Sequence, residues 1–186
     1  MSHSQAIQKA CRILRDGGVI AYPTEGVFGL GCMPDDAAAV NRIFEIKQRD
    51  AGKGVVLIAS GMEQLQPWIR LDHDVKNPQL YSAEDKPVTW IVPAADNVPR
   101  WIRGDHNGIA VRLTRHAVAR SLCEGAGSPL VSTSANISGH APTRNALVLR
   151  RNLGALVDYI VPGECGQASG PSEIRDLKSG KVLRPA

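Results

Sequence analysis

The sequence predicts an α/β fold in a single domain covering residues 1–186, and three observations lead to this prediction. Short apolar runs of strand length alternate along the chain with segments whose apolar residues recur at helical spacing. A chain of 186 residues is long enough for one sizeable core and short enough to stay undivided. No linker, internal repeat or low-complexity segment marks a second domain.

The individual helices and strands follow from local patterns. Helices are predicted over 4–15, 36–47, 116–124 and 143–156, with a surface helix and its connection over 61–86. Asp16-Gly17-Gly18 ends the first helix, Asp35-Asp36 begins the second, and Thr143 caps the last. Strands are predicted over 19–22, 55–58, 87–93, 108–114, 129–131 and 157–161. A terminal hairpin is expected to join 171–176 to 181–184 through Ser179-Gly180.

Composition is that of an ordinary soluble globular protein and excludes neither an enzyme nor a binding module. Apolar residues make up 43% of the chain and charged residues 22%. The 22 Lys and Arg against 18 Asp and Glu leave a formal charge of +4. This mild basic excess suits phosphate-bearing ligands, but it is too small to establish nucleic-acid binding.

The four cysteines, Cys11, Cys32, Cys123 and Cys165, are predicted to be reduced, buried thiols. They lie far apart, with no C-x-x-C pair and no histidine at metal-ligand spacing. No apolar run approaches the roughly 18 residues of a membrane span, and no basic-then-apolar leader precedes the first helix. We therefore expect a cytoplasmic protein that does not contact a membrane.

Polar side chains concentrate where the strand at 129–131 ends. The segment Ser132-Thr-Ser-Ala-Asn-Ile-Ser-Gly139 supplies four hydroxyls and one amide at the point where the backbone must turn. In open α/β sheets, ligands bind at the ends of strands, which favours a ligand site here. The same residues would suit a turn whose hydroxyls bond their own backbone, and this segment alone leaves both interpretations open.

A second polar turn, Pro23-Thr-Glu-Gly26, follows the strand at 19–22. It leads into Val27-Phe-Gly-Leu-Gly31, where three glycines within six residues allow a close approach of the backbone to a ligand. The turn is therefore either a substrate-facing loop or a tight connection whose glycines serve packing alone.

Cations stand at two places where a ligand could use them. Lys47, Arg49 and Lys53 lie within seven residues before the strand at 55–58. They either complement the dipole of the preceding helix or converge on a polyphosphate. Arg112 lies among the apolar residues of a predicted strand, so it should pair with a protein carboxylate or with the anionic group of a ligand.

These groups favour a chemistry of positioning and charge neutralisation. The sequence contains no G-x-S-x-G, H-E-x-x-H or G-x-x-x-x-G-K-[ST] motif, and its five histidines fall in polar segments typical of the surface. Phosphoryl and nucleotidyl transfers depend mainly on orienting the substrates and stabilising charge on phosphate oxygens. The sequence is therefore compatible with an enzyme of that class.

The chain resembles the YrdC/TsaC family of threonylcarbamoyl-AMP synthases from about residue 6 to residue 183, in its short bacterial form. The shared segments, in order, are Tyr22-Pro-Thr-Glu25, Val27-Phe-Gly-Leu-Gly31, Lys47-Gln-Arg49, Ala110-Val-Arg112, Ser132-Thr-Ser-Ala-Asn-Ile-Ser-Gly139, Pro162-Gly163 and Pro171-Ser-Glu-Ile-Arg-Asp176. Each segment is weak by itself, whereas their order and spacing together are highly specific.

The resemblance implies a nucleotidyltransferase that makes threonylcarbamoyl-adenylate and pyrophosphate from L-threonine, bicarbonate and ATP. The product serves the threonylcarbamoyl-adenosine modification of tRNAs that read ANN codons. The implied partners are therefore the downstream tRNA threonylcarbamoyl-transferase complex and, as a further candidate, tRNA itself. The implied fold is a twisted, mostly parallel or mixed sheet, flanked by helices, with a deep basic groove.

The resemblance also implies roles for individual residues. The catalytic residues it implies are Lys47, Arg49, Ser134 and Asn136. The residues it implies for ATP binding are these four together with Lys53 and Pro142. The residues it implies for threonine binding are Thr24, Gly26, Arg112, Ser132 and Ser172. Arg112 would pair with the threonine carboxylate. Mg²⁺ is the implied cofactor, held by the phosphates of ATP and not by protein side chains.

Two departures from the family pattern affect the expected site. Asp50 stands where the family usually has proline, and it is expected to pair with Arg49 or Lys53 and to weaken ATP binding. Asp85-Lys86-Pro87 replaces the usual Pro-Gly-Pro, which predicts a reshaped loop before the next strand. Neither departure removes a signature residue, so the expected reaction is unchanged.

Two other functions stay open on the sequence. The first is a tRNA- or double-stranded-RNA-binding module, or a ribosome-maturation factor, that uses the same basic groove; the aromatic content of only 4% argues against it. The second is a carbamoyl-adenylate module like the YrdC-like part of hydrogenase maturation proteins, although the further domains of those proteins are not in this sequence.

Overall fold

A computed structural model describes residues 2–71, 87–168 and 170–185. The α-helices in these residues are α1 His3–Arg15, α2 Ala37–Lys47, α3 Met62–Leu65, α4 Arg100–Arg103, α5 Ala117–Ala126 and α6 Ala146–Leu153. Two 3-10 helices cover Ala51–Lys53 and Gln66–Trp68. The strands are β1 Ile20–Pro23, β2 Phe28–Gly31, β3 Val56–Ala59, β4 Val88–Pro93, β5 Gly108–Leu113, β6 Leu130–Ser134, β7 Tyr159–Ile160, β8 Glu173–Asp176 and β9 Val182–Arg184.

The described strands form one nine-stranded sheet in the order β7-β1-β2-β6-β3-β5-β4-β8-β9. The sheet is mixed, as predicted, but antiparallel pairings outnumber parallel ones by five to three. The expected majority of parallel pairings is therefore corrected. Short turns join β1 to β2 and β8 to β9, and only antiparallel neighbours can be joined in this way.

The central strands are buried on both faces, which explains their continuous apolar runs. Ile58 of β3 packs with Leu14 of α1 and Leu122 of α5 on one face. Leu57, the preceding residue, packs on the opposite face in a cluster that includes Ile43 of α2. Successive side chains of a strand point to opposite faces, so an α/β domain with helices on both sides needs apolar residues at every position.

The first two helices are confirmed with caps that fix their starts. Ser2 begins α1: its hydroxyl accepts the Gln5 N–H at 3.3 Å, and the Gln5 side chain accepts the Ser2 N–H at 2.9 Å. This reciprocal capping box explains why the helix starts one residue before the predicted position. Asp36 begins α2, with its carboxylate accepting the Ala39 N–H at 2.9 Å.

The glycine-rich segment 27–31, expected as a loop, contains strand β2. It pairs with β1 from Ile20 opposite Gly31 to Pro23 opposite Phe28. A Cβ at Gly31 would lie 2.7 Å from Cε1 of Tyr22, so the Tyr22 ring occupies the space that a side chain would need. Gly31 therefore serves close packing, one of the two interpretations that the sequence left open, but it does so inside a strand.

The last helix is shorter than predicted and has a different cap. The Asn145 side chain accepts the N–H groups of Leu147 and Val148, whereas Thr143, the predicted cap, accepts the Asn145 N–H instead. The helix α6 ends at Leu153, so Leu156 lies beyond it. The predicted strand at 157–161 is reduced to β7, while the terminal hairpin of β8 and β9 is confirmed.

Some sequence predictions fall partly outside the described residues. Of the segment 61–86, the structure describes α3 and one 3-10 helix, and residues 72–86 with the Asp85-Lys86 departure lie outside the described ranges.

The cysteines are free thiols, three of them buried and Cys165 half-buried. No helix in the described part of the chain is long and apolar enough to cross a membrane.

Candidate active site

One cavity lies along the sheet from β2 to β9 and has a volume of about 420 Å³. That volume is within the range of about 300–1,000 Å³ that is usual for small-molecule sites. Its charged lining residues in the described ranges are Arg49, Lys53, Arg103, Arg112 and Arg184, with no aspartate or glutamate among them. An excess of cations around one cavity favours an anionic ligand.

The two polar segments that the sequence singles out meet in this cavity because β2 and β6 are neighbours. The strand β6 continues to Ser134, so Ser132 and Ser134 lie within the strand and not in the expected turn. The strand β2 pairs with β6, with Gly29 opposite Ser134. Thr24 and Gly26, which precede β2, therefore line the same cavity as Ser132 and Ser134 of β6. The Thr24 hydroxyl donates to the Val27 carbonyl at 2.7 Å inside its own turn.

The end of α2 directs Arg49 into the cavity. Gln48 adopts a left-handed φ of 49°, and the Arg49 N–H donates to the Phe44 carbonyl at 3.0 Å, which ends the helix. The Arg49 Nη2 donates to the Gly54 carbonyl at 3.0 Å, and its buried Nε has no hydrogen-bond partner among the described residues. Burial, followed by the charge of Arg184, lowers the pKa of Arg49. Arginine stays protonated in proteins, so Arg49 is a partly desolvated cation that an anionic ligand would stabilise.

Asp50 satisfies its carboxylate locally. Its Oδ1 accepts the Gly52 N–H at 2.9 Å and caps the 3-10 helix Ala51–Lys53, which carries the exposed Lys53 to the cavity. The ion pairs of the described residues include none between Asp50 and either Arg49 or Lys53. The expected pairing is therefore wrong, because a free backbone N–H two residues later is the nearer partner.

Arg112 pairs with a protein carboxylate. It is 9% exposed, and its Nη2 lies 3.5 Å from Oε2 of Glu25. The other carboxylate oxygen of Glu25 accepts the Thr114 hydroxyl at 2.7 Å and the Arg115 N–H at 3.1 Å. Burial opposes ionisation of Glu25, but the Arg112 charge and the Thr114 hydrogen bond hold its pKa below the ordinary value. The buried Arg112 Nε has no hydrogen-bond partner in the described residues, so the guanidinium keeps unused capacity for an anion.

Two buried serine hydroxyls of the cavity are oriented by other side chains. The Tyr22 hydroxyl lies 2.8 Å from the Ser132 hydroxyl and donates to it. Burial raises the pKa of Tyr22 well above its ordinary value, so this donor stays protonated. The Ser172 hydroxyl lies 2.6 Å from the Thr89 hydroxyl, and the Ser172 carbonyl accepts from Arg184 at 2.7 Å. Fixed hydroxyls of this kind lose little freedom when a ligand binds.

Lys47 and Asn136 are placed differently from the other predicted residues. Lys47 is only 2% exposed, although cations in the last turn of a helix are commonly solvated, so it is a buried cation at the end of α2. Its ammonium donates to the Ser134 and Asn136 carbonyls at 2.5 and 2.9 Å. Lys47, Asn136 and Pro142 are absent from the cavity lining in the described residues. The strand β6 covers the C-terminal end of α2. Local sequence patterns do not predict a contact between segments so far apart in the chain.

The cavity thus gathers eight of the eleven predicted site residues, and their roles stay predictions. These eight are Thr24, Gly26, Arg49, Lys53, Arg112, Ser132, Ser134 and Ser172. The sequence reasoning missed Thr89 and Arg184, which line the cavity, and Glu25 as the partner of Arg112. Glu25 lies within a motif already noted, so a carboxylate beside Thr24 was an available signal. Thr89 and Arg184 lie in ordinary strands and carry no comparable signal.

Gly26→Ala is expected to disturb this site. A Cβ at Gly26 would lie 2.1 Å from the Gly170 carbonyl oxygen, a backbone atom that cannot move without its loop. We expect a loss of about 1–3 kcal/mol in the free energy of unfolding and weaker ligand binding at the neighbouring residues. Urea unfolding measures the first effect, with Gly170→Ala as the control because a Cβ there meets nothing within 4 Å. Equal stability of the two variants would contradict the close contact.

The fold and the cavity define an α/β domain with a cation-lined cavity along its mixed sheet. The chain belongs to the Sua5/YciO/YrdC family, whose model, described as "Telomere recombination", matches residues 12–186.

Individual relatives are similar along the whole chain. The threonylcarbamoyl-AMP synthase of Nitrosococcus oceani is 48% identical over 178 residues, which cover 96% of each chain. The enzyme of that name from Xanthomonas axonopodis pv. citri is 44% identical over 186 residues, or 99% of this chain and 100% of its own. The structure of P. abyssi Sua5 complexed with L-threonine has a TM-score of 0.90 at 30% identity, and the match covers 100% of this chain but 55% of that one. E. coli YciO has a TM-score of 0.85 at 28% identity over 99% of this chain and 90% of its own.

Proposed function

We propose that this chain is a threonylcarbamoyl-AMP synthase, which converts L-threonine, bicarbonate and ATP into threonylcarbamoyl-adenylate and pyrophosphate. The observation that carries the proposal is a single cavity that combines cations suited to phosphates, Arg49 and Lys53, with an arginine suited to a carboxylate, Arg112. Relatives of that name at 44–48% identity over nearly the whole chain support it. The L-threonine complex of a similar structure supports the choice of amino acid.

The reaction requires stabilisation of a departing pyrophosphate. The neutral amine of threonine first condenses with bicarbonate to give a carbamate and water, and a carbamate oxygen then attacks the α-phosphorus of ATP. As the new O–P bond forms, the bond from the α-phosphorus to the bridging oxygen breaks, and its electron pair leaves with pyrophosphate. We assign Arg49 and Lys53 to the growing negative charge and the Ser134 hydroxyl to orientation, because positioned cations and donors lower such barriers.

Threonine would be held by the groups around Arg112. An arginine guanidinium matches a carboxylate with two parallel hydrogen bonds, and Arg112 keeps donor capacity beyond its contact with Glu25. The hydroxyls of Ser132 and Ser172 would fix the orientation of the amino acid. Holding the carbamate and ATP in one geometry removes much of the entropic cost of a reaction between separate molecules.

Mg²⁺ is proposed to enter the site with ATP. The described lining offers hydroxyls and cations, which bind phosphate oxygens, and no group of three or more His, Cys, Asp or Glu gathers in the described residues. This donor set fits an ion held by phosphate oxygens and water, as Mg²⁺ commonly is. When bound, the ion would supply further neutralisation of the phosphate charge.

The product would be consumed by an enzyme that transfers the threonylcarbamoyl group to tRNA. We propose the tRNA threonylcarbamoyl-transferase complex as that downstream partner, with tRNAs that read ANN codons as the final acceptors. The proposed location is the cytoplasm, where these substrates are present. Direct binding of tRNA to this chain is a separate proposal that RNA-binding measurements would test.

Product analysis tests the proposed function. The intact protein is incubated with ATP, Mg²⁺, L-threonine and labelled bicarbonate, and the products are separated by chromatography. We expect pyrophosphate release and a labelled adenylate that both require threonine and bicarbonate. Pyrophosphate release without either substrate, or none at any Mg²⁺ concentration, would contradict the proposal. Tight RNA binding that is salt-sensitive and independent of ATP would instead favour the RNA-binding function.

A further inference from the structure

The Lys47 side chain is enclosed in the protein although it belongs to a cation cluster. It is 2% exposed, while Arg49, two residues later, lines the cavity. Burial, followed by the charge of Arg49, lowers the pKa of Lys47 to about 8. A cation in such a place is stable only if neighbouring groups accept its N–H bonds.

Those acceptors come from one turn. The Lys47 Nζ lies 2.5 Å from the Ser134 carbonyl oxygen, 2.9 Å from the Asn136 carbonyl oxygen and 3.4 Å from the Asn136 side-chain oxygen. An ammonium has three N–H donors, and these three contacts match that number. In this conformation Lys47 therefore has no donor left for a phosphate oxygen.

Asn136 is engaged in the same way. Its side-chain amide donates to the Ile137 carbonyl at 3.0 Å and to the His140 carbonyl at 2.7 Å. The backbone also joins the two segments, since the Ser138 N–H donates to the Lys47 carbonyl at 2.8 Å. The end of α2 and the turn after β6 are thus tied together by hydrogen bonds in both directions.

We propose that Lys47 is a positioning residue that acts through Asn136, and that neither side chain binds phosphate directly. The two residues lock the turn after β6 onto the C-terminal end of α2. This lock sets the relative positions of Arg49 and Ser134, which do line the cavity. The inference rests on the proposed function, because the cavity is taken as the site of the ATP phosphates.

The competing arrangement has Lys47 swinging into the cavity when ATP binds. That movement would remove the Lys47 donor from the Asn136 carbonyl oxygen and one of two donors from the Ser134 carbonyl oxygen, which also accepts the Asn136 N–H at 3.0 Å. Each buried acceptor left without a partner costs about 1–3 kcal/mol. Arg49, whose Nε already lacks a partner in the described part of the chain, can bind an anion without such a loss.

The test measures binding of inorganic triphosphate by calorimetry, which does not depend on turnover. The variants are Lys47→Met, Asn136→Ala and the double variant. Lys53→Met is the matched control, because it makes the same substitution at an exposed lysine that lines the cavity. Thermal unfolding of each variant checks that it is folded.

If Lys47 acts through Asn136, each single variant should bind triphosphate about tenfold more weakly, and the double variant no more weakly than the worse single variant. Combining Lys47→Met with Lys53→Met should instead multiply the two losses. Multiplied losses for Lys47→Met and Asn136→Ala would overturn the proposal, as would unchanged binding in Asn136→Ala. Loss of thermal stability with unchanged triphosphate affinity would also overturn it.

Lys47→Gln gives a second measurement if Lys47→Met does not fold. Glutamine keeps two N–H donors but has no charge, so it should retain measurable triphosphate binding if the donors hold the turn. Affinity of Lys47→Gln as low as that of Arg49→Met would overturn the proposal. A wild-type protein that binds triphosphate but releases no pyrophosphate would contradict the proposed function and leave this test intact.

Discussion

Arg49→Met is expected to lower kcat/KM for ATP by about 10²–10³, the usual loss when one charged donor is removed from a transition state. Arg49 lines the cavity, is partly buried and has a free N–H donor within the described structure. Its positive charge would face the departing pyrophosphate, whose negative charge grows as the transition state forms. The attraction between the two charges is therefore strongest in the transition state. Pyrophosphate release at varied ATP, with threonine and bicarbonate saturating, measures the effect.

The fold should survive this substitution. Arg49→Met removes the hydrogen bond to the Gly54 carbonyl, which is worth about 1 kcal/mol, or roughly 2–4 °C in Tm for a domain of this size. Arg100→Met is a suitable control, since the Arg100 side chain is 76% exposed and pairs with Asp105 outside the cavity lining. Activity of Arg49→Met equal to that of Arg100→Met would refute the assignment, and unfolding of Arg49→Met would indicate a structural role.

Arg112→Gln is expected to raise KM for threonine by about 10²–10³, with a much smaller change in KM for ATP. Removing one partner of a buried charge pair costs about 2–5 kcal/mol in binding, and Arg112 would pair with the threonine carboxylate. Initial rates at varied threonine and varied ATP separate the two effects. Equal increases in both KM values would count against a threonine-carboxylate role.

The same substitution leaves Glu25 buried without its cation, so it should also lower the free energy of unfolding by about 3 kcal/mol. The double variant with Glu25→Gln should recover part of that loss without recovering threonine binding. Although burial opposes ionisation, Arg112 lowers the pKa of Glu25. The stabilisation is therefore present above the ordinary glutamate pKa of about 4.3 and is lost as the pH falls through the folded-state value. Urea unfolding from pH 7 down to pH 3 measures this difference between wild type and Glu25→Gln.

The helices and most strands could be predicted because their signals are local. Asp36 and the periodic apolar residues after it define α2 without any distant contact. The errors have distant causes. The segment 27–31 forms a strand because it pairs with β1 and with β6, which lies about a hundred residues further along the chain. The antiparallel majority of the sheet follows from a strand order that local patterns do not encode.

The candidate site shows the same division. The sequence alone showed the chemical types: cations before β3, an arginine in β5 and hydroxyls at the end of β6 each stand out against their neighbours. The sequence left two kinds of partner open for Arg112, a protein carboxylate or the anionic group of a ligand. It could not decide between them, because Glu25 comes close to Arg112 only when β1 and β5 take their places in the sheet. Asp50 was misassigned because its nearest partner is a backbone N–H, which has no signature in the sequence.

The sequence by itself determined which residues carry charge and hydroxyls, where α2 begins, and the family to which the chain belongs, because these depend on residue type and spacing. Only the tertiary structure decided which of two neighbouring cations meets the cavity. Lys47 and Arg49 differ by two positions along the chain, yet β6 buries the first and leaves the second at the cavity. Burial depends on what packs against a residue, and the residues that enclose Lys47 lie almost ninety positions further along the chain.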